Sequence, residues 1–551
     1  MAANVTTPRI LPHVYNLGYK VGQFAAGITN TESSSSFDAT NTWWALLTHF
    51  PVWYRTWWWQ LVQNDPVHVF VETTLLAAIL YFLLLSRRQK RSGKLDGQRL
   101  TAAEEEELLY EWKHKTRLPI VTPNSTDDDA TTEANNPRRP PVVVHSTNGR
   151  HMEIAHATTT NNGTTSTTTI LNFGTLDFLG MQAPTLPDGQ PHPVRTAALN
   201  ALDHYGCGSC GPRGFYGTID AHVVLERALA VATGSADAIV YADAASAVTS
   251  TVAAFLKRGD CIVVDAAVYE PLRTGVQLSR ANVLTYQHND MDDLRRVLEG
   301  VAETDRVKQR KSNAQRRFVV TEGLFKTTGE VCPMDTLAGL LEEFKYRLIL
   351  DESHSFGVLG KTGRGVTELF NVPVTEHMIR IVSLENALGS VGGSTVGTQE
   401  VVDHQRLCGV GYCFSASAPP FTAKAALAAL ELVESTIPAL AANVQYMYPK
   451  LKDLLHAQFD GLLEVTSDPR SPIVVLKVAD IPETEYLNEV VFLDEVAACM
   501  LDRGIGIVAT EGTIRMTVSS LHTTTDLDKA LAALGQAVDV VINRFHDEDV
   551  E

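Results

Sequence analysis

The densest grouping of reactive side chains is Asp351-Glu-Ser-His354, directly after the apolar run Leu348–Leu350. Two further polar turns follow β-branched runs in the same way, Thr321-Glu-Gly323 and Ser383-Leu-Glu-Asn-Ala-Leu-Gly389. A carboxylate at the end of a buried strand can hold a protonated pyridine nitrogen, the contact that makes a pyridoxal-type cofactor an electron sink. A plainer reading fits the same spacing, with Asp351 capping a helix and His354 a satisfied buried histidine. Residue types alone leave both open. The glycines of Gly389–Gly393 would let backbone approach closely beside this edge.

Two other motifs are lures. Gly206-Cys-Gly208-Ser-Cys-Gly211 spells a dinucleotide fingerprint, but that fingerprint needs a strand before it and a helix opening after it. Here a helical pattern, AALNALDHY, precedes it and Pro212 follows soon after. Cys207-x-x-Cys210 has no second pair at zinc spacing, so a metal site is not expected.

The elements that must position these turns form an alternating series. Short apolar runs at 238–242, 261–265, 317–323, 347–353 and 379–384 are separated by helical patterns such as DDLRRVLEGVAE and DTLAGLLEEFKY. That alternation predicts an α/β fold with a mostly parallel sheet over residues 170–434. A smaller α+β C-terminal domain is expected over 435–551. Residues 122–169 are rich in Thr, Asn, Asp and Pro and read as a low-complexity flexible insertion.

The first hundred residues have a different texture. Six of the seven tryptophans fall between Trp43 and Trp59, which predicts a lumenal or interfacial segment over 1–66. Residues 67–85 are mostly apolar, with Glu72 the one acid, and Arg87, Arg88, Lys90 and Arg91 follow. Nineteen residues rise about 28 Å as a helix, enough to span hydrocarbon, and the basic flank places the remaining chain in the cytosol. Residues 86–121 read as a cytosolic connector with an acidic helix near 100–112. A balance of 46 Lys+Arg against 64 Asp+Glu, net −18, argues against a nucleic-acid surface. The seven cysteines lack framework spacing and read as reduced thiols.

A series of phrases runs in order from Asn172 to the C-terminus: NFGTLDFLGM, HYGCGSCGPRGFYGTIDAHVVLE, HND, TEGLFKTTGEVCPM, DESHSFGVLGKTGRG, SLENALGSVGG, GYCFSASAPP and IRMTVSSLHT. Together they resemble the α-oxoamine synthases, fold-type-I enzymes that use pyridoxal phosphate (PLP) to condense an amino acid with an acyl-CoA. The GSCGPRGFYGT and SLENALGS wording is similar to the branch of that family that makes long-chain bases. The resemblance implies a fold-type-I large domain, a small C-terminal domain and an N-terminal transmembrane helix.

It also implies a departure. Active members carry a lysine after the strand IRIVSL, where it binds the cofactor and moves the substrate's Cα proton. Asn386 stands at that position, and an amide nitrogen is neither nucleophilic nor basic. Lys326 and Lys361 are expected at the surface. Asp351 and His354 match the family's partners for the cofactor's ring nitrogen and ring oxygen, so they read as a vestigial pocket. Tyr269 is the expected replacement for the histidine that stacks on the ring, and Arg515 matches the carboxylate-binding position.

Because family dimers share residues across the interface, the resemblance implies pairing with a lysine-bearing paralogue that holds the PLP. Cys210 and Tyr216 are then candidates for reaching into that partner's site. Ser415 and Ser417 are candidates for its cofactor phosphate. An endoplasmic-reticulum membrane anchor, with small activating and regulatory membrane subunits as further partners, completes the expectation. Two alternatives remain: a self-sufficient homodimer using an unrecognised lysine, and a scaffold that contributes nothing to any active site.

Overall fold

The computed structural model describes residues 142–159, 165–186, 188–310, 315–459, 461–479, 489–510 and 512–548, with scattered helical positions between Trp59 and Phe82. Most of the expected span 67–85, the tryptophan-rich segment and the connector 86–121 lie outside the described residues. Among the described residues no single helix is long and apolar enough to cross a membrane.

The expectation of flexibility over 122–169 is corrected for its described part. Strands β1 (Val143–Thr147), β2 (His151–Thr159) and β3 (Thr165–Asn172) form an antiparallel meander. Threonine is β-branched and suits a half-buried pleated surface, so a polar composition conceals a strand preference. Met152, Ile154 and Ile170 bury one face of the meander. Apolar residues are few here, but they stand at the alternating positions that one face of a strand requires, and an overall composition does not register position.

The central sheet matches the expected alternation. It comprises β4 (Asp237–Tyr241), β5 (Cys261–Asp265), β6 (Asn282–Tyr286), β7 (Arg317–Glu322), β8 (Arg347–Asp351), β9 (Met378–Ser383) and β10 (Gly393–Gly397). Their spatial order is β4-β10-β9-β8-β7-β5-β6. β10 is antiparallel to both neighbours, while β9, β8, β7, β5 and β6 pair in parallel. Val263, Ile349 and Ile381 are sealed between helices on both faces, which is why these strands read as unbroken apolar runs. The order reverses between β5 and β7, so the crevice beyond Asp265 and Glu322 is where such sheets place ligands.

The C-terminal part opens with the long helix Val433–Gln458 and carries an antiparallel sheet, ordered β11-β12-β15-β14. Its strands are β11 (Leu463–Val465), β12 (Ile473–Val478), β14 (Val508–Thr510) and β15 (Thr513–Thr517); the two-residue β13 (Ile505–Gly506) joins β3 instead. The break expected between 434 and 435 is not a division of the core. Leu440, Leu451 and Val475 belong to the same buried cluster as Val263 and Ile349, so 136–551 form one compact unit.

One polar clamp fixes the loop after β7 to the end of β5. His288 Nδ1 lies 2.8 Å from Asp265, and its Nε2 faces Thr328 at 3.0 Å and the Glu330 carboxylate. Burial pushes the imidazole pKa down, but the hydrogen bonds and charges of Asp265 and Glu330 outweigh it and raise the value to about 9. The folded value lies above the unfolded one, near 6.5. The clamp's stabilisation, on the order of 3 kcal/mol, is therefore complete below pH 6.5 and lost as pH rises through 9. Urea unfolding at pH 6 and pH 9.5 should show a larger drop in midpoint for the native chain than for His288→Asn.

Candidate functional site

The parallel strands bring Glu322, Asp351 and Ser383 to one edge, with Glu322 and Asp351 in register as neighbours. Both acids are sealed from solvent. Burial is the main force raising their carboxyl pKa values, and for Glu322 the Asp351 charge adds to it. Each needs donors, and the loop after β5 supplies them. The Tyr269 backbone N–H donates to Glu322 at 2.8 Å, and the Tyr269 hydroxyl donates to Asp351 Oδ2 at 2.8 Å. Asp351 Oδ1 accepts from the Ser353 N–H at 2.7 Å, and the Lys326 N–H reaches Glu322 at 3.2 Å.

His354 stands edge-on to the Tyr269 ring, with centroids 5.6 Å apart, and is buried. Burial first, then the Lys326 and Arg515 charges, lower its pKa to about 3, so the ring is neutral. Its Nδ1 lies 3.9 Å from Glu322. Asn386, half-buried after β9, donates its amide to the Ser353 carbonyl at 2.9 Å. Close packing closes the edge: a Cβ on Gly393 would lie 2.7 Å from the Ala244 Cα, as the glycine run predicted.

This arrangement does not fit a PLP cofactor held in the family's manner. The Asp351 oxygen that would take a pyridinium N–H already accepts the Tyr269 hydroxyl. The position that would supply the amine carries an amide tied to backbone. Asp351 is hydrogen-bonded by Tyr269 and Ser353, Asn386 to the Ser353 carbonyl, and His354 packs edge-on against the Tyr269 ring beside them.

Lys326 requires a correction. It is half-buried rather than on the surface, and burial, then the Arg515 charge, push its pKa down. Its place four residues past the buried Glu322 was the available signal. Lys361 is exposed as expected.

A second constellation lies at the loop 206–218. The helix Pro193–Tyr205 precedes it, so the dinucleotide fingerprint is absent as expected. Arg213 is buried and grips Glu226 with two hydrogen bonds of 2.8 and 3.0 Å, beneath the Tyr412 ring at 5.4 Å. Cys210 and Tyr216 take left-handed backbone at φ 57° and 67°, conformations that non-glycine residues adopt at a cost. Gly217 sits so close to Gly211 that an added Cβ would lie 1.9 Å from its carbonyl oxygen. The result is a closely packed loop that holds Phe215 exposed and Tyr216 fully out in solvent, with Cys210 also exposed.

Ser417 secures this loop, which corrects its expected role. It is buried, and its hydroxyl donates to the Gly217 carbonyl, while its N–H bonds the Gly211 carbonyl at 3.0 Å. Ser209 donates back to the Ser417 carbonyl at 2.9 Å. A hydroxyl so occupied has no proton for a phosphate oxygen. Ser415 is half-buried and, among the described residues, its hydroxyl bonds only the adjacent Ala416 carbonyl, at a long 3.3 Å. Arg213, Glu226 and Ser209 escaped the sequence reading, because a buried ion pair leaves no periodic trace.

An α/β body whose parallel sheet is covered by helices on both faces, with this carboxylate edge, defines a PLP-transferase architecture. The aminotransferase class I and II description matches residues 177–534, and the chain belongs to that family. It is homologous to proteins named Serine palmitoyltransferase 1, with 35% identity to that of Dictyostelium discoideum over 81% of this chain and 86% of the relative. The protein of that name in Saccharomyces cerevisiae is 33% identical over 76% of this chain and 72% of the relative. A serine palmitoyltransferase from S. paucimobilis, solved with a bound PLP–myriocin aldimine, superposes with a TM-score of 0.61 at 22% identity, over 73% of this chain and 93% of that one.

Replacing Tyr269 with phenylalanine should leave the buried Asp351 carboxylate with the Ser353 N–H but without the donor to Oδ2. A loss of about 1–3 kcal/mol is expected in urea or thermal unfolding. The same change at Tyr446, whose hydroxyl bonds the exposed Asp528, should cost far less.

Proposed function

We propose that this chain is a non-catalytic but required subunit of serine palmitoyltransferase. The complex condenses L-serine with palmitoyl-CoA, releasing CO2 and CoA, and gives 3-ketodihydrosphingosine, the first step of sphingolipid synthesis. A paralogous second subunit holds the PLP and its lysine. The observation that carries this reading is the Tyr269–Asp351 hydrogen bond beside Asn386. It closes the chain's own pocket while the shared fold is retained.

Within the complex this chain presents Tyr216 and Cys210 from a strained, pinned loop. Ser415 is the remaining candidate beside the partner's cofactor phosphate, and Ser417 positions the loop from beneath. Phe215, Val410 and Phe414 are exposed apolar side chains on this side of the body, where Val410–Cys413 packs against Arg213–Gly217. Such a surface suits a large apolar partner face. The 67–85 segment anchors the chain once in the endoplasmic-reticulum membrane, with the body in the cytosol. The exposed helical side chains Leu75, Ile79, Leu80 and Phe82 support that placement. An acyl substrate and a long-chain product both partition into lipid, so an anchor keeps the body beside them. Small activating and regulatory membrane subunits would join at this anchor.

Borohydride reduction in the presence of PLP tests the assignment. The isolated chain should yield no pyridoxyl-lysine, and the purified complex should yield one on the partner alone. An adduct on this chain would instead establish the self-sufficient homodimer.

Tyr216→Ala in the complex should lower turnover on the order of tenfold without dispersing the subunits, as read by acyl-CoA-dependent product formation and size-exclusion chromatography. Unchanged turnover for Tyr216→Ala, Cys210→Ala and Ser415→Ala alike would make the chain a scaffold.

A further inference from the structure

β6 is the last strand of the central sheet, and its outer edge pairs with no strand among the described residues. The Asn282 N–H donates to the Asp260 carbonyl at 2.8 Å, and the Tyr286 carbonyl accepts the Ala266 N–H at 3.1 Å. Main-chain groups alternate in direction along a parallel strand, so Asn282, Leu284 and Tyr286 turn theirs toward β5. Val283 and Thr285 therefore point two N–H and two C=O groups outward. Side chains alternate too, and Val283 and Leu284 are both exposed, one on each face. The strand reads NVLTY and pairs without a register shift, so no charge, proline or bulge blunts it. Such an edge is a template for a further strand.

The face of β6 that carries Asn282 and Leu284 borders a groove of about 480 Å³ along the helix Met291–Lys308. Gly300 leaves room in it, since nothing lies within 4 Å of where its Cβ would stand. Arg296, Lys308 and Arg310 line the groove beside Leu284 and Val297, and among the described residues no acid does. The acids of the helix have other partners. Asp292 and Glu299 lie close enough to Arg295 for their charges to act on it, and Glu303 accepts from Arg306 at 2.7 Å. Asp305 pairs with Arg317 and stands 3.4 Å from Arg310, and Asp293 accepts from Arg296 at 2.8 Å. Lys308 is exposed and makes no ion pair among the described residues. The groove therefore joins an apolar wall to a positive lining that the chain answers only in part.

We propose that β6 receives an extended segment of another polypeptide, with acidic side chains at alternate positions, as an eighth strand of the central sheet. The segment's backbone bonds the outward groups of Val283 and Thr285, and every second side chain enters the groove on the Leu284 side. Carboxylates there meet Lys308, Arg296 and Arg310, while β-branched residues between them cover Val283. A second copy of this chain is a poor occupant, because pairing β6 with β6 brings two sets of the same cations together. The surface uses nothing of the pocket beside Asn386, so it stands or falls separately from the proposed subunit role.

Fluorescence anisotropy of short labelled peptides on the full-length chain tests this. The probes are a peptide of alternating threonine and glutamate, one of alternating threonine and lysine, and a block peptide with all its threonines before all its glutamates. The alternating acidic peptide should bind about tenfold tighter than either of the others, and its affinity should fall as salt rises. Thr285→Pro removes one outward N–H and leaves the β5 ladder intact, so it should abolish binding while the far-ultraviolet circular dichroism stays unchanged. Lys308→Glu should weaken the acidic peptide and strengthen the basic one, an exchange that loss of folding would not produce. Hydrogen–deuterium exchange over residues 282–286 should slow when the acidic peptide is bound. Equal affinity for the three peptides, binding by none, or binding indifferent to Thr285→Pro overturns the inference and leaves the proposed function intact. Exchange over 282–286 that slows with protein concentration alone assigns the edge to a second copy, and overturns it as well.

Discussion

The body is organised by a single electrostatic constraint: parallel strands deliver buried carboxylates to a shared edge, and every one must find donors. Glu322 and Asp351 are adjacent across the ladder, so ionising one raises the cost of ionising the other. In a cofactor-bearing relative a positively charged ring can answer that demand. Here the answer is internal. Tyr269 gives Glu322 its backbone N–H and Asp351 its hydroxyl, and so ties the loop after β5 to both strand ends. The positions of His354, Asn386 and the β7 loop follow from that closure.

The large domain was legible because apolar runs and helical periods alternate cleanly, and sheets buried on both faces admit little else. Register needed no alignment, since Glu322 and Asp351 each terminate a run and parallel pairing sets them side by side. The three strands before Asn172 were not legible. Their alternation is carried by threonine, and composition averages that signal away. Nor was the unity of the core visible, because a change in pattern near Val433 marks a change of topology without a break in packing.

The site divided along similar lines. Asp351, His354, Asn386 and Tyr269 were identified because motif order located them, and the structure brings them together. Ser417 was assigned from the family resemblance, and a motif match does not tell whether a hydroxyl's proton is free. Its burial against Gly217 and Gly211 decides that. Lys326 was misplaced because a loop residue near a polar motif looks solvated in one dimension. The seam between β7 and β12 that half-buries it joins residues well over a hundred positions apart.

Retention of Asp351 and His354 does not require that this chain once more hold a cofactor. Each performs a structural task that would persist without chemistry: Asp351 accepts from Ser353 and Tyr269, and His354 fills the space under the Tyr269 ring. Removing either would strand a buried donor or open a void, and both cost stability. These side chains therefore account for one another's positions by their own contacts. The loop at 206–218 is held in a different way, by Ser417, Ser209 and the Arg213–Glu226 pair. Left-handed backbone at Tyr216 exposes an aromatic ring to water, and the buried Arg213–Glu226 pair holds it there. Strain persists only where surrounding structure enforces it. Here the enforced outcome is display of the Tyr216 ring to solvent.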